Sequence, residues 1–109
     1  MSDDASGGSG GQRQHERVEA NLPGKVFFAG RDHAVTLTDI SLGGAGIETE
    51  TRLPVGSLVD LDIGTAGRFP VVVARSPETG AYGLRFAVAG TEMQQLQDAL
   101  TKAFPALAG

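Results

Sequence analysis

From Leu22 to Ala87 the apolar residues tend to fall at alternate positions, and glycine, proline and aspartate cut them into short runs. Alternation puts successive side chains on opposite faces of an extended chain, and the interrupting residues are those of tight turns. The pattern predicts strands at Lys25–Ala29, Ala34–Ile40, Ala45–Thr49, Leu58–Ile63, Phe69–Arg75 and Ala81–Ala87. Turns are expected at Gly30–His33, Pro54–Gly56 and Glu78–Gly80. In the fourth run Val59, Leu61 and Ile63 share one face, and Asp60 and Asp62 take a wet one. Phe69–Arg75 is apolar on both faces and reads as a more central strand. In the last run Tyr82, Leu84 and Phe86 point inward and Arg85 outward.

At Thr91 the period changes. Met93, Leu96, Leu100 and then Ala103 or Phe104 recur at helical spacing, and Pro105 ends the run. Thr91-Glu92-Met93-Gln94 fits a capping box with Thr91 as the N-cap. About six short strands with no helix between them, followed by one amphipathic helix, predict an all-β fold: a small six-stranded antiparallel barrel. The helix, over 91–104, is expected to plug an open end or cover a face. Residues 1–11 are rich in Gly and Ser and read as a flexible tail. The remainder, 12–109, fits one small domain, with the barrel over 22–89.

Composition narrows the chemistry. The 109 residues include no cysteine, which excludes disulfides and thiolate metal sites. No apolar run approaches the ~20 residues of a membrane span, and MSDDASGGSGG lacks the plan of a signal peptide. A cytoplasmic chain without direct membrane insertion is the expectation. The net charge of −4 disfavours duplex DNA or RNA, which asks for a broad basic surface. A single-stranded nucleic acid would want stacking platforms and a basic groove. The aromatics Phe27, Phe28, Phe69, Phe86, Phe104 and Tyr82 fall mostly at inward or helix positions. His15 and His33 sit on separate polar segments and read as solvated. Ser41 has no recognisable base, and no acid–base or nucleophile set assembles, so an enzyme is not expected.

Two short patterns remain. Arg13-x-x-x-Arg17 precedes the first strand, and Asp39-x-Ser41-x-x-Gly44 joins the second and third. Guanidinium groups are permanently charged forks that grip phosphate or the O6/N7 edge of guanine, and two of them four residues apart reach one ligand. Solvated surface arginines are the plain alternative. Asp39 and Ser41 are suited to ordinary turn chemistry, and Gly43, Gly44 and Gly46 allow positive φ or close approach. Alternatively, the Asp39 carboxylate accepts from the N1–H and N2–H₂ of a guanine with Ser41 beside it. Val35 and Leu37 share a face with Asp39, yet Ile40 is the next apolar residue. A register break or a strand end near Asp39 would turn its carboxylate out of the core.

The order of the two patterns, the strands between and after them, and the closing Tyr82-Gly83-Leu84-Arg85-Phe86 resemble the PilZ domain family over roughly residues 12–104. The resemblance implies a six-stranded barrel that binds the bacterial second messenger cyclic di-GMP, with no cofactor and no metal. It implies that Arg13 and Arg17 clamp guanine and phosphate from a segment spanning 12–21. It also implies that Asp39 and Ser41 contact a guanine and that Gly44 permits the approach. Gln12, which precedes the first arginine, inclines the site toward a stacked pair of ligands. Gly43, Gly46 and Arg85 border it. The Gln-Arg start is compatible with the PilZ module of a bacterial cellulose synthase. On that reading the chain would be the cytosolic regulatory part of an inner-membrane glycosyltransferase, acting on a fused catalytic domain or a downstream protein. The rival expectation is a PilZ-like domain used for protein contacts alone, without nucleotide.

Overall fold

The computed structural model describes residues 17–108. Six strands occur among them: β1 (Val18–Phe28), β2 (Arg31–Ile40), β3 (Gly44–Glu48), β4 (Leu58–Asp62), β5 (Arg68–Glu78) and β6 (Ala81–Phe86). All neighbours are antiparallel, and they close a barrel in the order β1-β2-β3-β6-β5-β4. β4 returns to β1 through Lys25↔Asp62, Val26↔Leu61 and Phe27↔Asp60, so the sheet has no long free edge.

The inward residues are those that alternation selects. Val26, Val35, Leu37, Ile47, Val59, Leu61, Val71, Val73 and Leu84 are buried in one cluster. Helix α1 (Thr91–Ala103) adds Leu96 and Leu100 to it. α1 packs against the 3-10 turn Gly64–Ala66 that joins β4 to β5, and so closes that end of the barrel. Beyond it, Phe104 is the C-cap, and Pro105–Ala108 form a further 3-10 turn. No helix among the described residues is long and apolar enough to cross a membrane.

Four local expectations are corrected. First, β1 starts at Val18, well before Lys25. Pro23 and Gly24 lie inside the strand. β1 pairs with β4 only over Lys25–Phe27, so Pro23 sits where the ladder is one-sided and its missing N–H costs little. Second, the β1–β2 turn is Ala29-Gly30, and Arg31–His33 belong to β2. With φ at +56° and +84°, the two turn residues match the hand of the type I′ hairpin. Third, the helix N-cap is Gly90, at φ +62°, and Thr91 is the first helical residue. No side chain caps the helix; the backbone carbonyl of Gly90 accepts from the Gln94 N–H at 3.2 Å. The left-handed entry from β6 requires a residue without Cβ, and this shifts the start by one. Fourth, β5 is no more central than its neighbours, because every strand of a closed barrel has two. Phe69 packs edge-on to Phe86 inside, while Pro70 and Val72 lie half-buried on the outer wall.

His33 is likewise not solvated. It is half-buried; Nε2 lies 3.0 Å from the Phe28 carbonyl and Nδ1 3.1 Å from the Thr51 hydroxyl. A neutral ring donating from Nε2 and accepting at Nδ1 satisfies both contacts. His15 lies outside the described residues.

Candidate functional site

The strands β2, β3, β6 and β5 are neighbours and carry the site on their outer wall. Along β2 the burial runs Val35 in, Thr36 out, Leu37 in, and then both Thr38 and Asp39 out before Ile40 goes in. The pairing explains the repeat. Leu37 faces Ile47 and Asp39 faces Gly46, so two residues of β2 oppose one step of β3. This is a β-bulge, and it re-aims Asp39, which strict alternation would have buried. The expected register break is therefore present at the expected residue.

β5 repeats the device. Val71 and Val73 point inward, and parity would send Arg75 the same way. Val73 faces Leu84 and Arg75 faces Gly83, so Ala74 is the additional residue and Arg75 emerges on the outer wall. Gly46 and Gly83 pair across β3 and β6. Neither has a side chain, so together they make a backbone floor on which side chains of the flanking strands lie. Asp39 leans over one half: Oδ2 lies 2.6 Å from where a Cβ of Gly46 would stand. Arg75 leans over the other: its Nε lies 2.8 Å from the corresponding point on Gly83. The result is a shallow depression of about 200 Å³, lined by Arg17, Thr38, Asp39, Gly46, Arg75 and Gly83, among others.

Arg17 enters this depression from the residue just before β1. The β1–β2 register sets Val18 against Ile40 and Glu19 against Asp39, which puts Arg17 beside the bulge. One Nη donor of Arg17 makes an ion pair with Asp39 Oδ1. The guanidinium is about half exposed, so the pair is worth about 0–1 kcal/mol and yields readily to a better partner. Arg13 and Gln12 lie outside the described residues.

Ser41 and Gly44 occupy a different place. Ser41 is buried. Its Oγ accepts from the Gly44 N–H at 3.1 Å and the Gly43 N–H at 3.3 Å, and donates to the Gly44 carbonyl at 3.3 Å. The Ser41 backbone N–H also donates to that carbonyl, at 2.8 Å. The hydroxyl thus knots the β2–β3 loop. Gly44 is buried under β6: a Cβ there would stand 2.0 Å from the Leu84 carbonyl oxygen. Arg85 is exposed, opposite Gly44 and Val72, and does not line the depression. Of the residues singled out from sequence, Arg17, Asp39 and Gly46 are brought together, while Ser41, Gly43 and Gly44 shape the loop beneath them.

Sequence reasoning missed Arg75 and Gly83. A signal existed: Arg75 is a charged residue on the inward parity of an apolar strand, as Asp39 is. A larger concavity, about 900 Å³, runs along Asp32–Thr36, Glu48–Thr51 and Glu78–Ala81. It contains four carboxylates and no lysine or arginine, the wrong sign for a phosphate ligand. Among the described residues no group of His, Asp or Glu is arranged to hold a metal ion.

The model of the PilZ domain family matches residues 11–102. The chain belongs to the PilZ domain family. Solved PilZ structures share the fold. YcgR from Escherichia coli, crystallised in complex with c-di-GMP, superposes with a TM-score of 0.63 at 24% identity, over 89% of this chain and 48% of that one. The chain thus spans about half the length of YcgR. The isolated PilZ domain of YcgR with c-di-GMP gives 0.61 at 19% identity, over 89% and 94% of the two chains. The PilZ domain of CeSA from a cellulose-synthesizing bacterium gives 0.62 at 18%, over 84% and 97%. At these identities the likeness establishes the fold. No curated protein sequence matches the chain.

Proposed function

We propose that this PilZ domain is a non-enzymatic receptor for cyclic di-GMP. The observation that carries the reading is the outward Asp39 carboxylate beside Arg17 over the Gly46–Gly83 floor. Asp39 accepts the N1–H and N2–H₂ of a guanine, and Arg17 and Arg13 clamp guanine and phosphate from the N-terminal segment. Ser41 and Gly44 serve by holding the loop that aims Asp39. Membership of the family and the c-di-GMP bound to YcgR support the same ligand. The depression is smaller than the ~300–1,000 Å³ of a typical small-molecule pocket, so it accommodates one base. The rest of the ligand is covered when the arginine segment docks. Ligand favours the docked state of that segment, and the differential affinity is the signal passed to a fused or partner protein. The likeness to the CeSA domain makes exopolysaccharide synthesis the process to examine first.

Isothermal calorimetry with pure cyclic di-GMP tests the proposal and reads the stoichiometry, which decides between one ligand and a stacked pair. Ligand at 100 times its Kd should stabilise the fold by about 2.7 kcal/mol. An absence of both heat and thermal shift at high ligand concentration would refute it and favour a domain that makes protein contacts alone.

A further inference from the structure

Resting on the cyclic di-GMP reading, we propose that Arg75 is a third ligand-contacting arginine and sets the specificity for guanine, by gripping the O6/N7 edge of the base whose N1/N2 edge Asp39 holds. Asp39 on β2 and Arg75 on β5 stand on either side of the glycine pair contributed by β3 and β6. Each has been turned out of the core by its own bulge, and each leans across the glycine next to it. Strands lie about 4.8 Å apart, so three spacings separate the parent backbones, and the two side chains reach into that gap from opposite ends. Both side chains line the same shallow depression, which is of a size for one flat ring system.

The charges define which ring. A carboxylate takes only donors and a guanidinium gives only donors. Guanine has donors at N1 and N2 on one side and acceptors at O6 and N7 on the other. Adenine carries a donor at N6 beside N7, where the guanidinium would meet it unfavourably. Arg75 is exposed and makes no ion pair among the described residues. Gly83 is part of the device, because any Cβ there would lift Arg75 off the floor.

The test compares cyclic di-GMP with its 7-deazaguanine analogue, which lacks the N7 acceptor, on the intact chain. Wild type should bind the analogue about 10-fold more weakly. Arg75→Ala should lose about 10- to 100-fold toward cyclic di-GMP and no longer distinguish the two ligands. Arg75→Lys keeps the charge without the fork and should behave like the alanine variant. Gly83→Ala, which displaces Arg75 without deleting it, should also erase the discrimination. Wild-type affinity in Arg75→Ala overturns this assignment while leaving the receptor intact, as does a full rescue by lysine or a weakened variant that still discriminates. Failure of wild type to bind cyclic di-GMP overturns the receptor reading as well.

Discussion

Gly44→Ala separates a glycine that admits a ligand from one that admits the barrel's own backbone. At this position a Cβ would lie 2.0 Å from the Leu84 carbonyl oxygen, 3.1 Å from its carbon and 3.3 Å from the Arg85 Cα. All three are backbone atoms of β6, which no rotamer change can move. Relief requires about 1 Å of separation between β3 and β6. That strain is an overpacking cost of about 1–3 kcal/mol. The same movement pulls Gly44 away from Ser41, whose two bonds to its carbonyl and one from its N–H are at stake. At about 1 kcal/mol each, losing two of them brings the total to roughly 3–5 kcal/mol. For a domain of this size that corresponds to a fall in Tm on the order of 15 °C. Thermal unfolding followed by circular dichroism, without ligand, reads it directly. Gly46→Ala is the control. Its Cβ would meet the ends of the Asp39 and Thr38 side chains, at 2.6 and 2.9 Å, and these can rotate aside. That variant should melt within a few degrees of wild type and lose cyclic di-GMP, because Asp39 is pushed from its place. If Gly44→Ala melts within about 3 °C of wild type but fails to bind, the glycine serves the ligand and the packing argument is wrong.

Arg17→Ala should abolish detectable cyclic di-GMP binding in calorimetry and leave Tm unchanged, since Arg17 precedes β1 and its side chain is half exposed. Asp39→Ala should weaken binding by about 1.5–3 kcal/mol, and near-unchanged affinity would mean that the guanine edge is read elsewhere. Ser41→Ala leaves the Gly44 N–H without its acceptor and should cost about 1–3 kcal/mol of stability in urea titrations, a loss that a purely ligand-contacting serine would not produce. Tyr82→Phe removes the hydroxyl that accepts from the Leu53 N–H at 3.1 Å; a similar cost should appear as a lower Tm.

The barrel was legible because its strands obey a simple period wherever nothing interrupts them. β3, β4 and β6 lie within a residue or two of where alternation puts them. β1 was obscured by Pro23-Gly24, since whether a proline is tolerated depends on which side of the strand is paired, and that is a property of the closed sheet. The helix start was misplaced because Thr91 and Gln94 satisfy a local rule, whereas the chain's path out of β6 makes Gly90 the turning residue. The site divided in the same manner. Asp39 was recoverable from its conflict with the parity of Val35, Leu37 and Ile40. Ser41 carries the same sequence signal whether its hydroxyl faces a ligand or its own loop, and three hydrogen bonds within the loop decide where it points. Arg75 lies in a strand well removed from either motif, and closure of the sheet brings it opposite Asp39.

The Arg17–Asp39 pair has a chemical consequence for the way the ligand arrives. The N1–C2–N2 portion of guanine is a guanidine built into a ring, and Arg17 offers Asp39 the open-chain version of the same group. If cyclic di-GMP is the ligand, the free domain carries a stand-in for it. On the receptor reading, binding is an exchange: guanine replaces guanidinium at the carboxylate, and the displaced arginine is released as two phosphates come within reach. Asp39 keeps a charge-assisted partner throughout, and the cation moves from one anion to another. Free guanidinium should compete with cyclic di-GMP for this carboxylate, so urea is the denaturant of choice for measuring the stability of the bound domain.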